Sequence, residues 1–307
     1  MKIRVGIVDV QEEVVKMQST VFGKTITLKD YHCKNLLLNP HSAQPVKRPY
    51  ANIYVRIQNV CNAKCKFCEF TGENKRFDKY KMYYVLSEMQ KRFVINKVSF
   101  TGGEPTLDID TLTEAIKLVK EINNNIFVVV NTNGYNLDGL VGLPIDSVAL
   151  SRHHYLDSIN NGILGFNAPS SLKIKELSNK LNLHLSCNLL KDNIDSIDEI
   201  IKYLNFADSV NVDDVGFVSL MKVNDFCKNN FIDFHSIGIN DDERLFRNKE
   251  WQYEDICKCA NYLYIVPNTG SVIKLYSRCA LKPNNVDSQL VFDCNVLKDG
   301  FNGNILI

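Results

Sequence analysis

A chain of 307 residues with 45% hydrophobic and 23% charged side chains can bury a core, which excludes a disordered protein; at about 150 residues per domain it holds one large α/β unit with attachments. The formal charge of +1 comes from 36 basic and 35 acidic side chains with no long block of one sign, so no footprint for duplex nucleic acid or an anionic membrane is seen. No stretch reaches the ~18 apolar residues of a membrane span, and Met1 to Val5 run into Asp9 and Glu12 without an apolar signal region, so the expected location is the cytoplasm.

Residues 1–49 carry two short β-like runs, at 3–8 and 24–28, and end in a connector between Pro40 and Pro49. From residue 50 to 225 strand, loop and helix alternate, the signature of parallel βα units. Strands are expected at 52–58, 97–101, 126–130, 147–151, 184–189 and 215–220, and helices at 80–93, 112–122, 170–181 and 194–204, where apolar residues recur at three- and four-residue spacing. The expected fold is α/β, a partial (β/α)6 TIM-like barrel. Residues 226–307 read as a cysteine-bearing C-terminal extension, with a hairpin of strands at 262–266 and 271–276 around Pro267-Asn268-Thr269-Gly270.

Ten cysteines without a signal region point to metal or redox chemistry rather than to a secreted disulfide framework. Cys33, Cys187 and Cys227 are scattered, whereas Cys61-Asn62-Ala63-Lys64-Cys65-Lys66-Phe67-Cys68 follows the first barrel strand directly. Three thiolates on one loop can bind three irons of a cubane cluster and leave the fourth open to a ligand. A structural zinc site is the competing reading; it asks for four ligands, and no Cys or His follows at a customary spacing.

In parallel βα barrels chemistry collects where the strands end, because the βα loops build that face. The second strand ends in Thr101-Gly102-Gly103-Glu104-Pro105, the third in Asn131-Thr132-Asn133-Gly134 and the fourth in Ser151-Arg152-His153-His154, and the fifth carries Asn188. Gly102 and Gly103 let backbone approach a ligand, and Glu104 offers a carboxylate to a cationic amine; a turn needing positive φ is the alternative. Arg152, His153 and His154 are the densest titratable group, suited to binding carboxylate or phosphate and to moving protons, or to hydrogen bonding behind the site. Alternation places Asn188, Ser186 and His184 on one face of the fifth strand and turns Cys187 toward the helices. It also lets Arg56 enter the barrel, as an anion-binding group or in an internal salt bridge.

The cysteine run, with aromatic Phe67 before its last cysteine and Gly102-Gly103-Glu104 about thirty-five residues later, resembles the signature of the radical S-adenosylmethionine (SAM) superfamily. The resemblance implies a [4Fe-4S] cluster on Cys61, Cys65 and Cys68, SAM chelated by the open iron, and a 5′-deoxyadenosyl radical that abstracts a substrate hydrogen. It implies SAM contacts at Phe67, Gly102, Gly103, Glu104, Asn131, Ser151, Arg152 and Asn188, and leaves Arg56, His153 and His154 for the substrate side. It also implies a reductant such as flavodoxin or ferredoxin.

The order of elements is similar to the branch holding molybdenum-cofactor GTP cyclases and peptide-modifying SPASM enzymes. A peptide substrate is therefore the leading expectation, with a nucleotide, sugar or other small metabolite as the alternative and a non-catalytic iron–sulfur or zinc module as the competing class. Cys257, Cys259, Cys279 and Cys294 resemble a SPASM or twitch extension, in which a second cluster is bound around a hairpin. The spacing from Cys259 to Gly270 fits, but Leu275 stands where the next cysteine belongs. A second iron–sulfur cluster and a degenerate extension without metal both remain open readings.

Overall fold

The computed structural model describes residues 15–21, 24–30, 38–39, 42–45, 50–68, 75–239, 242–247, 261–278, 290–301 and 303–307. Strands β1 (Val15–Val21) and β2 (Lys24–Asp30) form an antiparallel ribbon, and β3 (Leu38–Asn39) and β4 (Ser42–Pro45) a second. The run at 24–28 thus lies in a strand, whereas that at 3–8 lies outside the described residues.

The main sheet begins with β5 (Tyr50–Arg56), followed by α1 (Lys79–Gln90), β6 (Val94–Thr101), α2 (Ile109–Ile122), β7 (Phe127–Thr132) and β8 (Ser147–Ser151). Two short helices, α3 (Asp157–Leu164) and α4 (Ser171–Ser178), lead to β9 (Leu183–Leu189), α5 (Ile197–Ser209) and β10 (Asp214–Ser219). The six expected barrel strands are therefore β5 to β10, each paired in parallel with the next. After α6 (Asp225–Asn229) come β11 (Leu245–Arg247), β12 (Asn261–Ile265), β13 (Val272–Arg278), β14 (Leu290–Asp293) and β15 (Val296–Lys298).

The expected hairpin is β12–β13, but it does not stand apart from the barrel. β13 runs parallel to β10 and β14 runs parallel to β5, so the C-terminal region adds a strand to each edge of the six. Among the described residues the resulting order is β11-β12-β13-β10-β9-β8-β7-β6-β5-β14-β15.

Strand parity divides the sheet into two faces. Ile53 and Val55 of β5, Val98 and Phe100 of β6, and Val128 and Val130 of β7 are buried in the same apolar cluster as Val85 and Leu86 of α1 and Ile116 and Val119 of α2. The opposite face is polar and partly exposed: Asn52 and Arg56, Asn131, Ser151, Ser186 and Asn188 alternate with those core residues. Side-chain caps start the helices, with Asp78 accepting from Lys81 N and Asp108 from Thr111 N, each contributing about 1 kcal/mol. Among the described residues no helix is long and apolar enough to cross a membrane.

Candidate active site at the strand ends

The loop after β5 carries Cys61, Cys65 and Cys68 and is held from three directions. The end of β6 supplies the first grip: Gly103 N donates to Gln58 O and Glu104 N to Val60 O, each at 2.9 Å. This approach demands glycine. A Cβ at 103 would stand 2.1 Å from Val60 O and 2.9 Å from Cys61 N, and one at 102, where φ is +153°, would stand 2.4 Å from Gln58 O.

The second grip is the end of α3, where Leu164 O accepts from Lys64 N at 2.8 Å and Gly165, at φ +73°, closes the helix beneath the loop. α6 supplies the third. Its capping residue Asn224 donates Nδ2 to Lys66 O at 3.2 Å, and the buried Cys227 thiol donates to Phe67 O at 3.4 Å.

Cys61 and Cys68 are exposed and Cys65 is partly exposed. Burial, followed by the neighbouring Cys68 and Cys61, pushes the Cys65 thiol up to about 12; burial also raises Cys61, against the lowering effect of Ala63 N, which donates to its sulfur at 3.4 Å. Three thiolates this close repel one another, and a polycationic iron cluster is the kind of partner that lets them coexist. Among the described residues no three Cys, His, Asp or Glu side chains converge on one metal-ion position. A cubane asks instead that each thiolate meet its own iron, so the donor set fits a cluster.

Glu104 is 1% exposed, and its carboxylate is occupied by protein. Oε1 accepts from Thr106 N at 2.9 Å, Thr106 Oγ1 at 2.7 Å and Thr132 Oγ1 at 2.6 Å, while Oε2 accepts from Asn133 N at 2.7 Å. The side chain expected to meet a cationic amine therefore ties the end of β6 to the end of β7. Of the residues expected to meet an amine, that leaves Gly102 and Gly103, whose backbone packs on Gln58 and Val60 at the root of the loop.

Other expected contacts divide by strand parity. Asn131 lies on the inner face and donates Nδ2 to Phe100 O at 3.0 Å, bracing β6 against β7. Ser151 pairs with Ser186 across β8 and β9, and both lie with Asn188 on the partly exposed inner face.

Arg152 corrects its expectation. One residue beyond Ser151, it turns outward, is 1% exposed, and donates to Asp157 Oδ1 at 2.6 Å, Tyr155 O at 3.1 Å and Pro169 O at 3.2 Å. Its guanidinium lies 5.0 Å from the Phe206 ring centroid, so it braces the helix side rather than a ligand.

His154 is corrected likewise, since its Nδ1 accepts from Leu156 N at 2.9 Å and its ring packs on Tyr155. His153 does reach the cysteine loop, its ring meeting Phe67 edge-on at 5.0 Å, while Nδ1 accepts from Asn188 N at 3.1 Å. Burial, and then the Arg152 charge, push it down to about 4, so near neutral pH it is uncharged with its proton on Nε2.

Arg56 enters the barrel and takes the internal-salt-bridge reading. It sits 3.5 Å from Asp293 of β14 and 5.3 Å from the Phe301 ring centroid, and Asp293 also pairs with Lys298 at 2.5 Å. Of the expected auxiliary ligands, Cys257, Cys259 and Cys279 lie outside the described residues. Cys294 follows β14, donates its backbone N to Arg56 O at 2.9 Å, and places its sulfur 3.8 Å from the Asn59 side chain, burial pushing the thiol up to about 11.

Sequence reasoning missed Thr106, Thr132 and Asn133 as the partners of Glu104, although all three lie in or beside the polar breaks. It also missed α3 and α6 as supports of the loop.

Comparison with known proteins gives a consistent result. Residues 55–205 match the sequence model of the Radical SAM superfamily. The chain is 30% identical over 186 residues to the "Probable GTP 3',8-cyclase" of Sulfolobus acidocaldarius, covering 57% of this chain and 58% of that protein. It is 26% identical over 194 residues to the protein of the same name in Saccharolobus islandicus, covering 57% and 59%. The chain thus spans less than two-thirds of the length of these relatives. Among solved structures it is similar to Streptococcus suis SuiB bound to S-adenosylmethionine, with a TM-score of 0.49 and 18% identity over 58% of this chain and 42% of that one.

Proposed function

We propose that the chain is a radical SAM enzyme through the domain matched at residues 55–205, and that Cys61, Cys65 and Cys68 would hold a [4Fe-4S] cluster for the reductive cleavage of S-adenosylmethionine. The observation that carries this reading is the three-sided clamp on a loop that presents three cysteines at the strand ends, Cys61 and Cys68 exposed and Cys65 partly so. A cluster held there would supply the one-electron reduction of the SAM sulfonium, the source of a radical able to take a hydrogen atom from substrate.

The chain's own residues prepare the place. Gly102 and Gly103 would present backbone to the SAM amino group, Phe67 and neutral His153 form an aromatic wall beside the last cysteine, and Ser151 and Asn188 offer hydrogen bonds from the inner face. Glu104 positions the loop through Thr132 and Asn133. The electron comes from a one-electron carrier of the flavodoxin or ferredoxin type.

The substrate we infer is a peptide, on an order of elements that resembles the peptide-modifying branch and on a polar, partly exposed inner face that offers a peptide backbone hydrogen-bond partners. A nucleotide is the second reading, favoured by the names of the curated relatives. A second cluster on Cys257, Cys259, Cys279 and Cys294 is proposed only as an extension of the resemblance.

Anaerobic reconstitution should load about four irons per chain, or about eight with a second cluster. The reduced protein should convert SAM to 5′-deoxyadenosine and methionine, and Cys65→Ala should abolish both iron binding and cleavage. Absence of 5′-deoxyadenosine from loaded, reduced protein given peptide and nucleotide candidates rejects the proposal. Deuterium transfer from labelled peptides or labelled GTP into 5′-deoxyadenosine decides between the two substrate readings.

A further inference from the structure

The cysteine loop carries positive charge as well as thiols. Lys64 and Lys66 flank Cys65, and both side chains are exposed. Their backbone is fixed from two sides, Lys64 N by Leu164 O at the end of α3 and Lys66 O by the Asn224 amide that caps α6. The loop therefore crosses from its root at β5 toward the helices that follow β8 and β10, with the two lysines on the crossing segment.

A third cation joins them from the connection after β10. Lys222 Nζ lies 3.9 Å from the Phe231 ring centroid, a cation–π contact that restrains a long side chain. Phe231 packs in the small apolar cluster that also takes in Phe67, the neighbour of Cys68. Lys222 is exposed, and among the described residues neither it nor Lys64 nor Lys66 enters an ion pair.

The acidic side chains on the same elements are mostly engaged. Asp225 of α6 pairs with Lys228 at 3.0 Å, and Asp157 of α3 with Arg152 at 2.6 Å. Asp192 and Asp195 stand beside Lys191 after β9, and Glu69 and Glu73 lie outside the described residues, followed by the exposed Lys75 and Arg76. Exposed apolar side chains sit among the cations: Val60 directly before Cys61, Met221 directly before Lys222, and Ile159 one turn of α3 before Ile163, which packs in the Phe67 cluster.

Apolar spots among unpaired lysines suit a partner that presents an apolar edge within an acidic rim. We propose that this face docks an acidic flavin carrier of the flavodoxin type, through Lys64, Lys66 and Lys222 around Val60 and Met221; naming this partner rests on the radical SAM reading. A flavin offers its apolar dimethylbenzene edge to such a surface. Electron transfer falls steeply with distance, and a carrier seated on the neighbours of Cys65 approaches the thiols directly. Its reduced flavin is oxidised by the one electron that reductive cleavage consumes. The substrate reading uses the inner face of the sheet, so carrier and substrate meet different residues.

The test is binding of the cluster-loaded full chain to immobilised oxidised flavodoxin at about 50 mM and about 300 mM salt. Wild type should bind at low salt and lose about tenfold in affinity at high salt, mainly through the association rate. At low salt Lys64→Glu with Lys66→Glu should weaken binding about tenfold and Lys222→Glu about threefold, whereas Lys117→Glu, exposed on α2, should stay within about twofold of wild type. For Lys222→Glu, 5′-deoxyadenosine formation driven by flavodoxin, divided by that driven by dithionite, should fall by a similar factor. No wild-type binding at low salt, an affinity unmoved by salt, or equal losses in Lys222→Glu and Lys117→Glu overturns the docking face. Tighter binding of an acidic [2Fe-2S] ferredoxin than of flavodoxin overturns the flavin partner. A chain that shows the expected binding losses yet cleaves no SAM under dithionite, with candidate substrates present, rejects the radical SAM reading alone, so the two fail separately.

Discussion

Asn133 donates its side-chain amide both to the Cys61 sulfur, at 3.7 Å, and to Asn62 Oδ1, at 2.9 Å, so one residue at the end of β7 holds the first cysteine of the loop. Its side-chain oxygen also accepts from Tyr135 N at 3.1 Å. Asn133→Ala should cost about 1–3 kcal/mol of stability, because buried polar partners are left unmatched. If Cys61 binds the proposed cluster, removing an N–H donor from its sulfur should also lower that cluster's reduction potential. Urea melts of cluster-free protein and potentiometry of loaded protein check the two effects.

Glu104→Gln replaces one carboxylate oxygen with an amide NH2, which must then face a donor at Thr106, Thr132 or Asn133. A loss of about 2–4 kcal/mol is expected even in cluster-free protein, the range for breaking a buried charge-assisted network. Unchanged stability, coupled to weakened SAM binding in an equilibrium assay, would return Glu104 to the role of amine ligand.

For Gly103→Ala the new methyl would point into the Val60 carbonyl, a backbone neighbour that cannot step aside as a side-chain tip can. The cysteine loop must lift from β6, at a cost of about 1–3 kcal/mol, and iron retained per chain should fall below about half of wild type. Iron counting after anaerobic gel filtration measures this.

His153 gives a pH dependence of definite sign. Its folded pKa is depressed to about 4 by burial and then by Arg152, so between that value and the ordinary 6.5 the unfolded chain binds the extra proton. Stability from this residue is complete above the unfolded value and is lost as pH falls through that window. Between about pH 7.5 and about pH 5 the loss should approach about 2 kcal/mol. Urea melts of wild type and His153→Asn should show the variant losing less over the same range; parallel losses would mean that His153 titrates normally.

The strands and the cysteine loop were legible because alternation and motif spacing are local signals. The direction of Arg152 was legible as well, since Ser151 facing inward forces its neighbour outward; the polar break drew attention to residue type over parity. The partners of Glu104 were not, because Thr132 and Asn133 reach it from another strand through tertiary packing. α3 escaped notice because Asp-Ser-Ile-Asn-Asn-Gly is poor in helix formers and Leu156 provides no side-chain cap. β13 and β14 gave no local sign of joining the sheet, since a parallel partner far away along the chain leaves none.

The pairing of β14 with β5 sets an order of events. Leu290 to Asp293 emerge from the ribosome long after Tyr50 to Arg56, so the strand leading into the cysteine loop has one edge unsatisfied during most of synthesis. Closing so long a span is slow for entropic reasons, and it delivers Asp293 to Arg56 and the Cys294 amide to the Arg56 carbonyl in the same step. Formation of the proposed metal site is thereby tied to β14: a protein truncated before residue 290 would keep every cysteine of the loop and lose the flank that steadies its root.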